Sequence, residues 1–208
     1  MSEAELTIAA IGTLANLLIA GAAIAAAIAA FMGLDTWKKE KTWQRDNELS
    51  EQLLELLYRR KDAVTDIRRP WSIQSAATHD EDGNEINDAN YAAYLGTVNY
   101  YQSKVETLTT IRAETYARQI RASIVWGEEF GLLNTELRHQ EDTLIAALRR
   151  FFRSQNPRVR QKLTDEKYSE IDGIIYEGLE EDDIYRRDYE RIFTSVENYL
   201  RSKLDSPK

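Results

Sequence analysis

The chain has 208 residues, 43% of them hydrophobic and 30% charged, with only 9 Gly, 3 Pro and no Cys. A chain without cysteine cannot use disulfide staples, zinc ribbons, thiol nucleophiles or iron–sulfur clusters, and so few turn formers point to an ordered, helix-rich protein. The net charge is −8, and Glu3, Glu5 and Asp35 account for three of those charges. The rest is modestly acidic, so nucleic acid is disfavoured as a partner.

From Leu6 to Leu34 no Asp, Glu, Lys, Arg or His occurs. At about 1.5 Å per residue such a helix exceeds the roughly 30 Å hydrocarbon core of a bilayer. The strongly apolar residues between Ile8 and Phe31 contribute roughly −3 to −5 kcal/mol to insertion, partly offset by Asn16. A cleaved leader is a competing reading, because Ala25 to Ala30 offers small residues, but Met1 to Leu6 is acidic where a leader carries Lys or Arg. A buried helix of a soluble domain is another, although this stretch has no polar face to turn to water. The expectation is a single-pass anchor in residues 1–35 and one helical domain in 36–208.

Glu3 and Glu5 precede the anchor, and Lys38, Lys39, Lys41 and Arg45 follow it. The positive-inside rule then places the C-terminal domain in the cytoplasm, with the protein in the bacterial inner membrane. Trp37 beside Lys38, Lys39 and Lys41 fits a membrane-interface belt, as does Trp43 unless it packs in the domain. Gly12, Asn16 and Ala20 share one stripe of the anchor, and Gly21, Ala25 and Ala29 share another. Small residues four apart let helices approach closely, and an intramembrane asparagine can hydrogen-bond across the contact. The plainer alternative is that an alanine-rich helix makes such spacings by chance while Asn16 sits near the headgroups.

Past Asp35 a helix is expected to continue from the anchor to Arg69. Its apolar positions are Leu49, Leu53, Leu56, Leu57, Ala63, Val64 and Ile67, and Pro70 ends it behind the dipole-compensating Arg68–Arg69 pair. A polar connection from Trp71 to Asp88 turns at Asp82–Gly83–Asn84. Asn87 or Asp88 caps a helix over 89–126, with Tyr91, Leu95, Val98, Tyr101, Val105, Leu108, Ile111 and Ile120 inward. The next helix covers 128–154 through Leu132, Leu133, Leu137, Leu144, Leu148, Phe151 and Phe152, and Asn156–Pro157 closes it. A short helix over 165–177 and a terminal helix over 181–204 follow, the latter burying Ile184, Ile192, Val196, Tyr199, Leu200 and Leu204. The fold class is all-α: an N-terminal transmembrane helix continuing into an antiparallel bundle of four to five helices.

Candidate chemistry is sparse. Asp80, Asp82, Gly83 and Asn84 resemble a calcium loop but lack oxygen ligands at both ends of the twelve-residue pattern, so a solvated turn is expected. Glu136 and His139 have the spacing of a di-iron ligand pair without a second copy. Arg149, Arg150, Arg153, Arg158, Arg160 and Lys162, with Phe151 and Phe152, form the most concentrated basic region. They could meet phospholipid headgroups, an acidic partner or nucleic acid, or instead pair with the acidic run Glu177, Glu180, Glu181, Asp182 and Asp183 over buried phenylalanines. The tyrosines, Trp71 and Trp126 are expected in the core with polar atoms at its edge. No catalytic, cofactor or metal residue is assigned.

The Thr36–Trp37–Lys38–Lys39 exit, the Tyr58 to Pro70 segment and the closing Tyr189 to Leu204 helix resemble a group of uncharacterised small bacterial membrane-anchored helical proteins. The resemblance implies the architecture and a bacterial origin, and no activity. Function is expected to be that of a non-catalytic, self-associating interaction or scaffold protein tethered to the bilayer, with an unidentified protein as a further partner. The alternative is a membrane effector of an antiviral or toxin system, whose bundle senses a signal and whose assembled anchors perturb the bilayer.

Overall fold

The computed structural model describes residues 3–69, 75–80, 82–159, 163–178 and 183–204, and over 3–15 and at 17 it describes the backbone alone. It is all-helical: α1 (Glu3–Arg68), α2 (Ala89–Trp126), α3 (Glu129–Gln155), α4 (Asp165–Ile175) and α5 (Ile184–Ser202). The chain divides into two units, one holding Met1–Asn47 and the other Glu48–Asp205. In the first, α1 is long and apolar enough to cross a membrane: a stretch of 18 residues reaches a mean hydropathy of 2.0, and none of it is buried.

The second unit is a four-helix bundle with a short fifth helix. Pairs along the helices set its directions. On α1 the sequence Gln52, Arg59, Asp66 meets Arg118, Glu114, Lys104 of α2 in reverse order. Ser50, Tyr58 and Lys61 likewise meet Leu200, Glu197 and Glu190 of α5. Helices α2 and α5 thus both run against α1, and α3 runs against α2, with Arg112 on Asp142 and Gln119 on Asn134.

Periodicity explains the core. Leu53, Leu57, Val64 and Ile67 of α1, Leu108 and Ile111 of α2, Leu137, Leu144 and Leu148 of α3, and Ile192, Val196 and Leu200 of α5 are all buried. They recur at three- and four-residue steps, which places them on one face of each helix. Three residues expected inward stand outside instead: Ile120, Leu132 and Ile184 are 51%, 68% and 62% exposed. Each lies on an apolar position by type but off the stripe its buried neighbours define.

Capping sets the helix starts. The Asp88 carboxylate accepts from the backbone N–H of Asn90 at 3.0 Å and Tyr91 at 3.2 Å, and Asp183 accepts from Arg186 N–H at 2.8 Å. These bonds satisfy amides that have no partner inside the helix. Before α2, the connection folds over on itself, with Gly83 at φ 82° and a bridge between His79 and Glu85. It then lies against α2 so closely that a Cβ on Gly96 would stand 2.2 Å from the Ser75 carbonyl oxygen.

One buried ion pair joins α1 to α3. Arg60 is 2% exposed and Glu141 is fully buried. The guanidinium donates from Nε to Oε1 and from Nη2 to Oε2, both at 2.9 Å, and from Nη1 to Asn134 Oδ1. Asn134 in turn donates to Gln119 Oε1, and Arg112 approaches Glu141 at 3.5 Å. One residue of α1, two of α2 and two of α3 therefore form a connected network.

Removing one partner strands the other charge. Arg60→Met or Glu141→Leu alone is expected to cost about 3 to 5 kcal/mol, and the double variant far less than the two together. Urea unfolding of the full chain in detergent, followed by circular dichroism, measures the cycle; additive losses would mean the two ions act independently. Gly96→Ala is expected to lose about 1 to 3 kcal/mol in the same assay, because the Ser75 backbone must move.

Candidate functional site

Three regions carry the residues singled out from sequence. The first is the apolar stretch of α1. Asn16, Ala20, Gly21 and Ala25 are exposed along it, and the Gly12 side-chain position lies outside the described residues. Leu18, Ile19, Ile24, Ile28, Phe31 and Met32 are exposed as well, between 55% and 72%. A Cβ built on Gly21 meets nothing within 4 Å, so that stripe is open to a neighbour. Beyond it Trp37 is 55% exposed beside the exposed Lys38, Lys39 and Lys41. Lys39 pairs with Asp35 at 3.0 Å, one turn away.

The second is the basic region at the end of α3. Arg149, Arg150 and Arg153 are exposed and make no ion pair among the described residues; Arg160 and Lys162 lie outside them. Arg158 places its guanidinium carbon 3.4 Å from the Tyr91 ring centroid, a cation–π contact. Among the described residues no arginine of this region pairs with Glu177 or Asp183 of the acidic run. Glu177 is taken by Arg186 at 3.2 Å and Asp183 by Arg68 at 2.8 Å, while 180–182 are outside the described residues. Phe151 and Phe152 are half-buried, Phe152 against Tyr101 and Phe151 against Tyr168 and Tyr176.

Beside these arginines a groove of about 650 Å³ runs between α2 and α3. Val98, Tyr101 and Val105 form one wall and Ile145, Leu148 and Phe152 the other, with Arg149 and Arg153 on the α3 rim and Gln102 and Glu106 on the α2 rim. It continues into a smaller depression of about 480 Å³ that shares Val105, Thr109, Ile145 and Arg149 and ends at Tyr116 and Arg138. Periodicity could not announce this groove, since Val98, Val105 and Ile145 read equally well as core.

The third region was also missed. Arg68 is buried instead of serving a helix end in water. Its Nε donates to the Ile174 carbonyl at 2.9 Å, and Nη2 donates to the Tyr176 carbonyl at 2.8 Å and to Asp183. The guanidinium also lies over the Tyr185 ring at 4.7 Å. Asp183 receives two backbone N–H groups besides, from Arg186 and from Gly178 at 3.2 Å. Burial works to raise the Asp183 carboxyl, but the Arg68 guanidinium and these amides outweigh it and hold the group below its usual range. The clamp ties the ends of α1 and α4 to the start of α5. A cleft of about 240 Å³ beside it is lined by Lys61, Glu177, Arg186 and Glu190. Those four side chains are already spent on ion pairs with one another or, for Lys61 with Glu190, stand 3.9 Å apart.

Asp80 accepts from the Asn84 N–H at 2.8 Å and the Asp82 N–H at 3.1 Å, which lowers its carboxyl and marks a self-contained turn. No group of three or more His, Asp or Glu side chains suited to a metal occurs among the described residues, Glu136 and His139 included. The aromatic residues depart from expectation. The hydroxyls of Tyr101, Tyr189 and Tyr199 and the Trp126 indole N–H are buried without a hydrogen-bond partner among the described residues, not set at the core's edge. Burial accordingly pushes the Tyr101, Tyr185 and Tyr189 hydroxyls up. Trp71 lies outside the described residues.

No protein-family model, curated protein or solved structure matches the chain.

Because the folded Asp183 carboxyl titrates below its unfolded value near 3.9, its contribution is present above that pH and lost as the pH falls through the folded value. Asp183→Asn is expected to cost about 3 kcal/mol at neutral pH, with the gap to wild type holding above about pH 4 and closing as the pH falls below it. Thermal unfolding across that range checks it; a gap independent of pH would mean the carboxylate's charge plays no part.

Proposed function

We propose that this protein is a single-pass membrane protein of the bacterial cell membrane, whose anchor in α1 carries a cytoplasmic helical bundle and which works by self-association and protein contact rather than catalysis. The observation that carries the reading is the exposed apolar stretch of α1, in which Leu18, Ile19, Ile24, Ile28, Phe31 and Met32 have nothing packed on them. Covering such side chains is worth roughly 1.5 to 3 kcal/mol each, and a bilayer covers them all. Glu3 and Glu5 before the stretch and Lys38, Lys39, Lys41 and Arg45 after it support a cytoplasmic bundle.

Self-association is supported by the spacing of Gly12, Asn16 and Ala20 and of Gly21 and Ala25, of which Asn16, Ala20, Gly21 and Ala25 are exposed. In hydrocarbon, helices associate through close backbone approach and interhelical hydrogen bonds, because apolar burial no longer distinguishes partner from lipid. A binding role is favoured over a chemical one by how the charged side chains of the bundle are used: Arg60, Arg68, Glu141 and Asp183 hold helices together.

In bacterial membranes the full chain is expected to resist alkaline carbonate extraction, with the bundle digested by protease in inside-out vesicles and protected in spheroplasts. Cross-linking in the membrane is expected to yield dimers, and Asn16→Leu to weaken them by about 3- to 30-fold, the worth of one interhelical hydrogen bond. Release by carbonate would remove the anchor; cross-linking unchanged by Asn16→Leu would remove this mode of pairing.

A further inference from the structure

We propose that the groove between α2 and α3 is a docking site for an acidic amphipathic helix of a partner protein. The inference rests on the bundle alone and stands whether or not the α1 stripes pair.

Shape gives the first argument. The two connected depressions run from Tyr94 to Tyr116 on α2. At 1.5 Å per residue that is about 33 Å, the length of a helix of roughly 20 residues. A helix laid between two others presents apolar side chains at three- and four-residue steps, and the half-buried Val98, Val105 and Phe152, over the buried Ile145 and Leu148, are the side chains such a stripe would meet. The groove is open along its length, which suits a helix with one polar face left in water.

Charge gives the second. Four arginines line the two depressions, Arg112, Arg138, Arg149 and Arg153, against two carboxylates, Glu106 and Asp142. Asp142 is already bonded to Arg112 at 2.8 Å and stands 3.9 Å from Arg138. Arg149 and Arg153 are left with no carboxylate among the described residues, in a protein whose net charge is −8. They stand four residues apart on α3, so their side chains project from one face about 6 Å apart, the separation of two carboxylates at i and i+4 on a facing helix. Glu106 stands on the opposite rim and disfavours acids there. A bound helix is thereby oriented with its acidic flank on α3 and neutral side chains over Gln102 and Glu106. A phosphate headgroup would use the arginines but make no use of the half-buried Val98, Val105 and Phe152 beside them.

The test uses the full chain in phosphatidylcholine nanodiscs and a fluorescein-labelled synthetic helix of about 20 residues, with leucines at i, i+3, i+4 and i+7 and glutamates along one flank. Fluorescence anisotropy is expected to show saturable binding, weakened about tenfold or more by Arg149→Glu with Arg153→Glu, and recovered when the peptide's flanking glutamates become lysines. Both substitutions are at exposed positions, and an unchanged melting curve confirms that the bundle is intact. No saturation by about 100 µM peptide, equal binding of a shuffled sequence, or binding indifferent to charge reversal would overturn the proposal. So would flotation with phosphatidylglycerol vesicles that depends on Arg149 and Arg153 while the peptide fails to bind, which would assign the arginines to lipid.

Discussion

Placing a guanidinium and a carboxylate among four helices costs several kcal/mol per ion, and that cost is offset only if nearly every donor and acceptor finds a partner in the right place. Arg60 and Glu141 meet the condition through a two-pronged pair, with Asn134 taking the remaining guanidinium nitrogen and Gln119 holding Asn134. Such a contact does not tolerate sliding. A shift of α1 along α3 by one turn, about 5.4 Å, would keep leucines on leucines but leave both ions unpaired. Apolar stripes in α1, α3 and α5 fix which faces meet, whereas this pair specifies their register. The position of everything attached to α3, including the arginines on its last turns, follows from it.

Arg68 and Asp183 do similar work at the end of the bundle where α4 lies. There the problem is different, because α1 ends, α4 ends and α5 begins within a short distance, leaving helix carbonyls and amides without intrahelical partners. Arg68 donates to carbonyls at the end of α4, and Asp183 accepts amides at the start of α5. One ion pair thus satisfies the termini of two helices. The opposite end is closed by aromatics instead, with Trp126, Phe130 and Tyr199 in mutual contact at 6.2 to 6.4 Å between ring centroids.

Much of the architecture was legible in the sequence for physical reasons. Heptad-like stripes survive averaging over many residues, and caps such as Asp88 have a local mechanism, so helix order, the long α1 and most of the core followed. Ile120, Leu132 and Ile184 were misplaced because residue type reports hydrophobicity and not which side of a wide stripe faces inward. The Arg60 network was present as a signal: Arg60 sits among Leu53, Leu56, Leu57, Val64 and Ile67, and Glu141 among Leu137, Leu144 and Leu148. Opposite charges on the buried stripes of two helices announce a pair, but the partners are 81 residues apart and only the fold brings them together. The basic region was legible as a cluster, while its pairing was not. Proximity in sequence suggested the acidic run, and the fold gives Glu177 and Asp183 to Arg186 and Arg68.

That exchange of partners determines the character of the α2/α3 face. Had Glu177 and Asp183 gone to the end of α3, Arg149 and Arg153 would be neutralised and the adjoining groove would be merely apolar. Because the clamp at Arg68 claims one acid and Arg186 the other, the two arginines remain free among the described residues beside a floor of Val98, Val105, Ile145 and Phe152. Helix α2 also carries Tyr116, Ile120 and Ile124 outward, at 56%, 51% and 80% exposure. Scattered exposed apolar side chains need no explanation, but a row at four-residue steps on the helix that walls the groove extends one surface rather than dotting several. Internal ion pairing thus leaves this face with two arginines unpaired among the described residues beside half-buried apolar side chains.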